Sequence, residues 1–297
     1  MDTGLPIDVL LPIVIALMML AVGMSLRPGD FRAVTAAPLA AAIGCAGMFA
    51  GFPLLAFALA AAFRLEPALA IGLVLLAASP SASTSTMFTY LARGDVALSV
   101  AMTALSKLVP VATVPLYVSA AALVFARERM QVEISFAQTS EAIVMTILLP
   151  TVAGMMLRRY VGAAAVWRPH VARISVLLLV LLICVLAWRE RAALPQMFAS
   201  SGPAAFTLCV LGMTSAFAAA SFARLSRGQR SAITIEIGMQ SGGTSIAIAA
   251  GVLGAPAMAV PAAVYSLVMY GAAAAFVWLE RGALRSAAPA DAPAAGR

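Results

Sequence analysis

The sequence predicts an all-α polytopic membrane protein with about nine transmembrane helices. Three observations carry this. Of 297 residues, 63% are hydrophobic and only 10% are charged, whereas soluble domains carry about 25% charge. Mean hydropathy is +1.01, and apolar runs of about 20 residues fill the chain. Two of those runs are interrupted by Pro, Gly, Ser and Thr, as in spans that break inside a membrane.

Span 1 is expected over about Val9–Leu26, ending at the turn Arg27-Pro28-Gly29-Asp30. Met1–Asp8 has no basic stretch, so no cleaved signal peptide is expected. Span 2 covers about Ala36–Phe63. Span 3, about Pro67–Ala92, is interrupted at Pro80 by Ser81–Thr86. Span 4 covers about Val96–Ala126. Spans 5 to 7 cover about Ala142–Leu157, Ala172–Trp188 and Pro203–Ala223. Span 8, about Ser231–Leu253, contains T-I-E-I-G-M-Q-S-G-G-T-S, and Gly238, Gly242 and Gly243 weaken the helix there. Span 9 covers about Met258–Leu279. The Ala/Pro-rich tail 281–297 is expected to be disordered.

Charge separates the loops into two sets. Arg64, Arg127, Arg129, Arg189 and Arg191 fall on one side, and the other 13 arginines on the opposite side. The positive-inside rule makes the richer side cytoplasmic, with the N-terminus outside and the C-terminus inside. Topology therefore explains the net charge of +7 better than nucleic acid does. Cys45, Cys184 and Cys209 lie far apart within apolar runs and form no disulfide or metal pattern. His170 is the sole histidine, and no H-E-x-x-H or Walker-type loop occurs, so no enzyme and no cofactor are expected.

At an offset of 160 residues, Ser81, Thr84 and Ser85 fall on Ser241, Thr244 and Ser245, and Ser106 falls on Ser266. Both sets surround a break. Spans 3 and 8 are five apart and so run in opposite directions. Two inverted halves are expected, 1–126 broken at 80–86 and 127–280 broken at 238–243. Paired breaks of this kind mark a transporter's midplane site.

Two full charges lie well inside spans, Glu236 and Lys107, the sole lysine. A carboxylate at that depth costs about 2.5–3.5 kcal/mol on insertion scales, so it points to function. Ser99, Thr103 and Lys107 share one helix face at i, i+4, i+8. Lys107 lies about eleven residues into span 4, roughly 16 Å at 1.5 Å per residue, too deep to snorkel. Three roles remain open for it: a tethered cation beside Glu236, a contact for an anionic substrate, or a neutral, desolvated amine.

The segments G-M-S-L-R-P-G-D-F (Gly23–Phe31), T-Y-L-A-R-G-D-V-A-L-S-V (Thr89–Val100) and T-I-E-I-G-M-Q (Thr234–Gln240) resemble the bile acid:sodium symporter family. The likeness covers nearly the whole chain and fits the bacterial, nine-span form. It implies a panel and a core helix group, with spans 3 and 8 crossing in the core. It further implies alternating-access import of a small organic anion, bile acid-like or a carboxylate, by a monomer in the bacterial inner membrane. Sodium is the implied coupling ion. One implied cation site uses Ser85, Thr86, Ser99, Thr103 and Glu236. A second uses Glu236, Met239 and Gln240 with position 48. The implied substrate cavity at the crossover involves Pro80, Ser81, Ser83, Gly238, Ser241, Gly242, Gly243 and Thr244. Family patterns place proline-glycine-glycine at the first break, asparagine at positions 86 and 241, and glutamine at 48. Here these read Pro80-Ser81-Ala82, Thr86, Ser241 and Met48, and Lys107 stands where a small or apolar residue is usual. Both cation sites are thus altered, and sodium coupling is expected to be changed or replaced through Lys107. Other readings are a proton-coupled or uncoupled carrier and a non-transporting sensor or receptor.

Overall fold

A computed structural model describes residues 7–24, 29, 32–126, 141, 144–161, scattered positions in 166–192, and 194–286. The described elements are helical, apart from one isolated bridge. They are α1 (Ile7–Gly23), α2 (Arg32–Ala36), α3 (Pro38–Ala62, with a π-helical turn at Gly47–Gly51) and α4 (Pro67–Ala78). After the first break come α5 (Ser85–Leu91), α6 (Val96–Leu108), α7 (Pro110–Phe125) and α8 (Leu149–Tyr160). Then follow α9 (Leu194–Phe222), α10 (Arg227–Gly238), α11 (Gly242–Val252) and α12 (Val260–Ser286).

Local chemistry sets these ends. Pro38, Pro67 and Pro110 open helices, where their missing N–H is no loss. Asp95 caps α6 by accepting from the Leu98 N–H at 3.0 Å. Ser226 and Gln229 form a reciprocal capping box on α10. Arg64, Arg93 and Arg224 end helices in the left-handed region at φ 49°, 56° and 56°. The next N–H then reaches back a full turn: Leu65 to the Ala60 carbonyl, Gly94 to Thr89, Leu225 to Ala220.

The helices nearest the breaks form the centre. Every residue from Leu69 to Ala78 on α4 is buried, and so is every residue from Ser231 to Gly238 on α10. Burial all around a helix marks a core position. Contacts link α4 with α3 and α7, and α10 with α9. Away from this core, α1 packs on α8 with glycine at the contact. A Cβ on Gly23 would lie 2.0 Å from the Thr151 carbonyl oxygen, and one on Gly154 would lie 2.2 Å from that of Leu20.

Three described helices are long and apolar enough to cross a membrane: Pro38–Ala62, Pro195–Phe222 and Pro256–Gly282. The expected sixth span, near 172–188, lies largely outside the described residues. Three expectations need correction. Span 4 is two helices bent by 62°, because Pro110 cannot donate to the preceding turn. Span 7 begins at Leu194 and carries Pro203 inside it. Residues 281–286, expected in a disordered tail, continue α12.

Element boundaries repeat along the chain. Helices end at Ala62 and Phe222, restart at Pro67 and Arg227, and end again at Ala78 and Gly238. The left-handed Arg64 and Arg224 join this series, and each pair is 160 residues apart.

Candidate functional site

The two breaks meet. Ser81 and Gln240 pair in an antiparallel bridge. The Ala82 N–H donates to the Met239 carbonyl, and the Ser241 N–H donates to the Pro80 carbonyl, both at 2.8 Å. Each interrupted backbone therefore satisfies the other where both are buried. The first break spans 79–84, starting one residue before the expected 80–86, and the second spans 239–241.

Glu236 lies two residues before the end of α10 and is fully buried. Its Oε1 accepts from Ser85 at 2.6 Å, from Ser99 at 2.5 Å and from Thr103 at 3.0 Å. Its Oε2 also accepts from Thr103 at 3.0 Å. Ser99 is shared with the Thr86 hydroxyl at 3.2 Å, and Ser85 with Thr103 at 3.5 Å. α5 supplies Ser85 and Thr86, and α6 supplies Ser99 and Thr103 one turn apart. Four hydroxyls and one carboxylate from three helices thus share one buried place. A buried carboxylate demands donors, and charge-assisted bonds of this length are the strong kind.

Gln240 and Met239 are also fully buried. The Gln240 amide nitrogen donates to the Ile237 carbonyl at 2.8 Å, while its Oε1 accepts nothing among the described residues. An orphan acceptor within two turns of a carboxylate fits a hard cation, which takes oxygen ligands. Met48 is buried in the π-helical turn of α3, and its thioether is a weak ligand for such an ion.

The expected cavity residues divide. Pro80 and Ser81 belong to the crossing, and Gly238 ends α10. Ser241 caps α11 and lies 2.8 Å from the Thr244 hydroxyl. Gly242 packs so closely on α12 that a Cβ would fall 1.7 Å from the Ser266 hydroxyl. Gly243 is half-buried, and Ser83 is exposed although it lies in the break. Lys107 is half-buried in the last turn of α6, one turn past Thr103. The oxygens of the Glu236 carboxylate accept from the hydroxyls of Ser85, Ser99 and Thr103.

A cavity of about 830 Å³ between α3 and α9 also touches α10, through Ile233 and Ile237. Gly47, Phe52, Leu55 and Leu211 line it, and among the described residues no acidic or basic side chain does.

The sequence did not single out Tyr265 or the role of Ser106. Ser106 accepts from the Ser81 N–H at 3.2 Å and bonds its hydroxyl at 3.0 Å. Tyr265 donates to the Gly238 carbonyl at 2.8 Å. The available signal was a tyrosine deep in an apolar run, since its hydroxyl needs a buried partner.

Residues 12–196 match the Sodium Bile acid symporter family. The chain belongs to that family. Its members are membrane transport proteins, and the chain is an integral membrane protein. The match takes in the first break and all four hydroxyls, and the similarity to individual relatives continues past it. The uncharacterized sodium-dependent transporter YocS of Bacillus subtilis (strain 168) is 29% identical over 260 residues, covering 86% of this chain and 78% of that protein. The probable chloroplastic sodium/metabolite cotransporter BASS2 of Oryza sativa subsp. japonica is 28% identical, covering 89% of this chain. BASS1 of Arabidopsis thaliana, described in the same terms, is 28% identical over 88% of this chain. The chain spans 62% and 64% of these two plant proteins, under two thirds of their length.

Proposed function

We propose that this chain is a secondary transporter that imports a small organic anion by alternating access, with sodium as the coupling ion. The observation that carries this reading is the buried carboxylate of Glu236, ringed by Ser85, Ser99 and Thr103 where two broken helices cross. The sodium-dependent relatives support the choice of ion. Sodium would take Glu236, Ser85, Thr86, Ser99 and Thr103 at one position. At a second it would take Glu236, Met239 and Gln240, with the orphan Gln240 Oε1 as a spare acceptor. The anion would lie at the crossing, near Ser83 and Gly243. Boundaries spaced by 160 residues support two inverted halves that rock about this point. The test is initial uptake of labelled carboxylates into proteoliposomes, with a sodium gradient or with potassium in its place. Uptake indifferent to that exchange sinks sodium coupling. No uptake or counterflow of any tested anion favours a sensor.

A second reading gives Lys107 part of the cation's work, with proton coupling or no coupling. It is favoured by the place of Lys107 one turn beyond Thr103 and by the altered positions 48 and 86. The ammonium would then compete with sodium for the field of Glu236, at a distance set by the bend after α6. Lys107→Thr is expected to make uptake depend more steeply on sodium, or to abolish it. An unchanged sodium dependence in the variant removes Lys107 from the coupling machinery.

Orientation is a separate proposal. Single cysteines replacing Arg129 and Arg285, in a chain lacking Cys45, Cys184 and Cys209, are to be labelled in intact cells with an impermeant thiol reagent. Labelling at 129 alone is expected. Labelling at 285 alone reverses the orientation.

A further inference from the structure

The second break is held from behind by a group outside the cation cluster. Tyr265 on α12 is fully buried, and its hydroxyl donates to the Gly238 carbonyl at 2.8 Å. Its ring meets Phe52 of α3 edge-on, with centroids 6.3 Å apart. The Cys209 thiol on α9 faces the same carbonyl at 4.0 Å. Gly238 is the last residue of α10, so no further helical turn supplies a donor to that carbonyl. Its neighbours are held as well. The Ile237 carbonyl accepts from the Gln240 amide, and the Met239 carbonyl accepts from the Ala82 N–H. On its other side Gly238 abuts Met213, whose side chain would lie 2.3 Å from an added Cβ.

We propose that Tyr265 is a positioning residue that sets the transporter's affinity for its coupling cation. By holding the Gly238 carbonyl it fixes the peptide that joins Glu236 to Gln240, and so the spacing of their oxygens. It touches neither cation nor substrate. This role presupposes the sodium-coupled reading above. The first break is pinned in a parallel way, since Ser106 on α6 holds Ser81 from 25 residues downstream, much as Tyr265 holds Gly238 from 27. The second helix after each break, α6 or α12, thus fixes it.

Tyr265→Phe keeps the ring against Phe52 and removes only the donor. The Gly238 carbonyl is then buried without its hydroxyl partner and free to turn. The measurement is initial uptake against sodium concentration in proteoliposomes, with thermal unfolding of both purified proteins. Half-saturating sodium is expected to rise about two- to tenfold, the range that one lost hydrogen bond supplies. Substrate KM at saturating sodium and the maximal rate stay close to wild type. If sodium dependence is unchanged while the maximal rate or unfolding temperature falls, Tyr265 is only a packing residue and the proposal is overturned. If the variant does not fold, Phe52→Leu loosens the ring and keeps the hydroxyl. The same rise in half-saturating sodium is then expected, and its absence overturns the proposal. Wild-type uptake indifferent to sodium overturns both this role and the reading beneath it. Sodium-dependent wild-type uptake with an unmoved variant overturns this role alone.

Discussion

Glu236→Gln is expected to abolish cation-coupled uptake, by at least about a hundredfold, while the protein stays folded and inserted. The two effects differ because they rest on different parts of the side chain. Glutamine keeps the shape and one carbonyl oxygen of glutamate. Ser85, Ser99 and Thr103 are hydroxyls that rotate, so each donates to that oxygen or accepts from the new amide. The folding cost is therefore about 1 kcal/mol, the size of one rearranged hydrogen bond. A bound cation loses a full negative charge. At about 4 Å and an effective dielectric near 20, that charge is worth about 4 kcal/mol, roughly a thousandfold in affinity. The cation loss wins. Uptake in proteoliposomes and thermal unfolding of the purified proteins measure the two sides separately. Uptake at near wild-type rate would return Glu236 to a packing role.

The breaks were legible in the sequence because they violate what a membrane helix needs. Pro80 with its Ser/Thr run, and Gly238, Gly242 and Gly243 beside Glu236, disrupt two otherwise apolar runs, and the structure breaks both helices there. Ser99 and Thr103 were visible as a stripe, since helical spacing alone puts them on one face. Their meeting with Glu236 was supplied by family likeness, because no local rule links residues 133 to 151 positions apart. The bend after α6 was missed because Val96–Ala126 reads as one apolar run, and a proline inside a membrane helix often leaves it whole. The structure sets Lys107 in the last turn before that bend. Tyr265 and Ser106 stayed hidden for a simpler reason. Each offers one polar atom among apolar neighbours, and its worth depends on which distant carbonyl or amide it meets.

Gly72→Ala is expected to destabilise the protein, although alanine is the better helix former. Gly72 lies within α4, where exchange for alanine should gain about 1 kcal/mol on propensity alone. Space decides against it. A Cβ at Gly72 would sit 2.2 Å from the Met258 carbonyl oxygen, 2.8 Å from its carbon and 2.9 Å from its Cα. All three are backbone atoms, so no side chain can swing aside. Met258 belongs to the turn Pro256–Ala259, which leads directly into α12 and so to Tyr265. To restore ordinary contact, α4 or that turn must move about 1 Å. Overpacking of this kind costs typically about 1–3 kcal/mol, more when backbone must shift. The overlap therefore outweighs the propensity gain. Gly271 on α12 is the control, since a Cβ there meets nothing within 4 Å. Gly271→Ala should raise the unfolding temperature in the same detergent, and Gly72→Ala should lower it by several degrees. A Gly72→Ala protein as stable as wild type would mean that the α4–α12 contact is looser than this geometry requires.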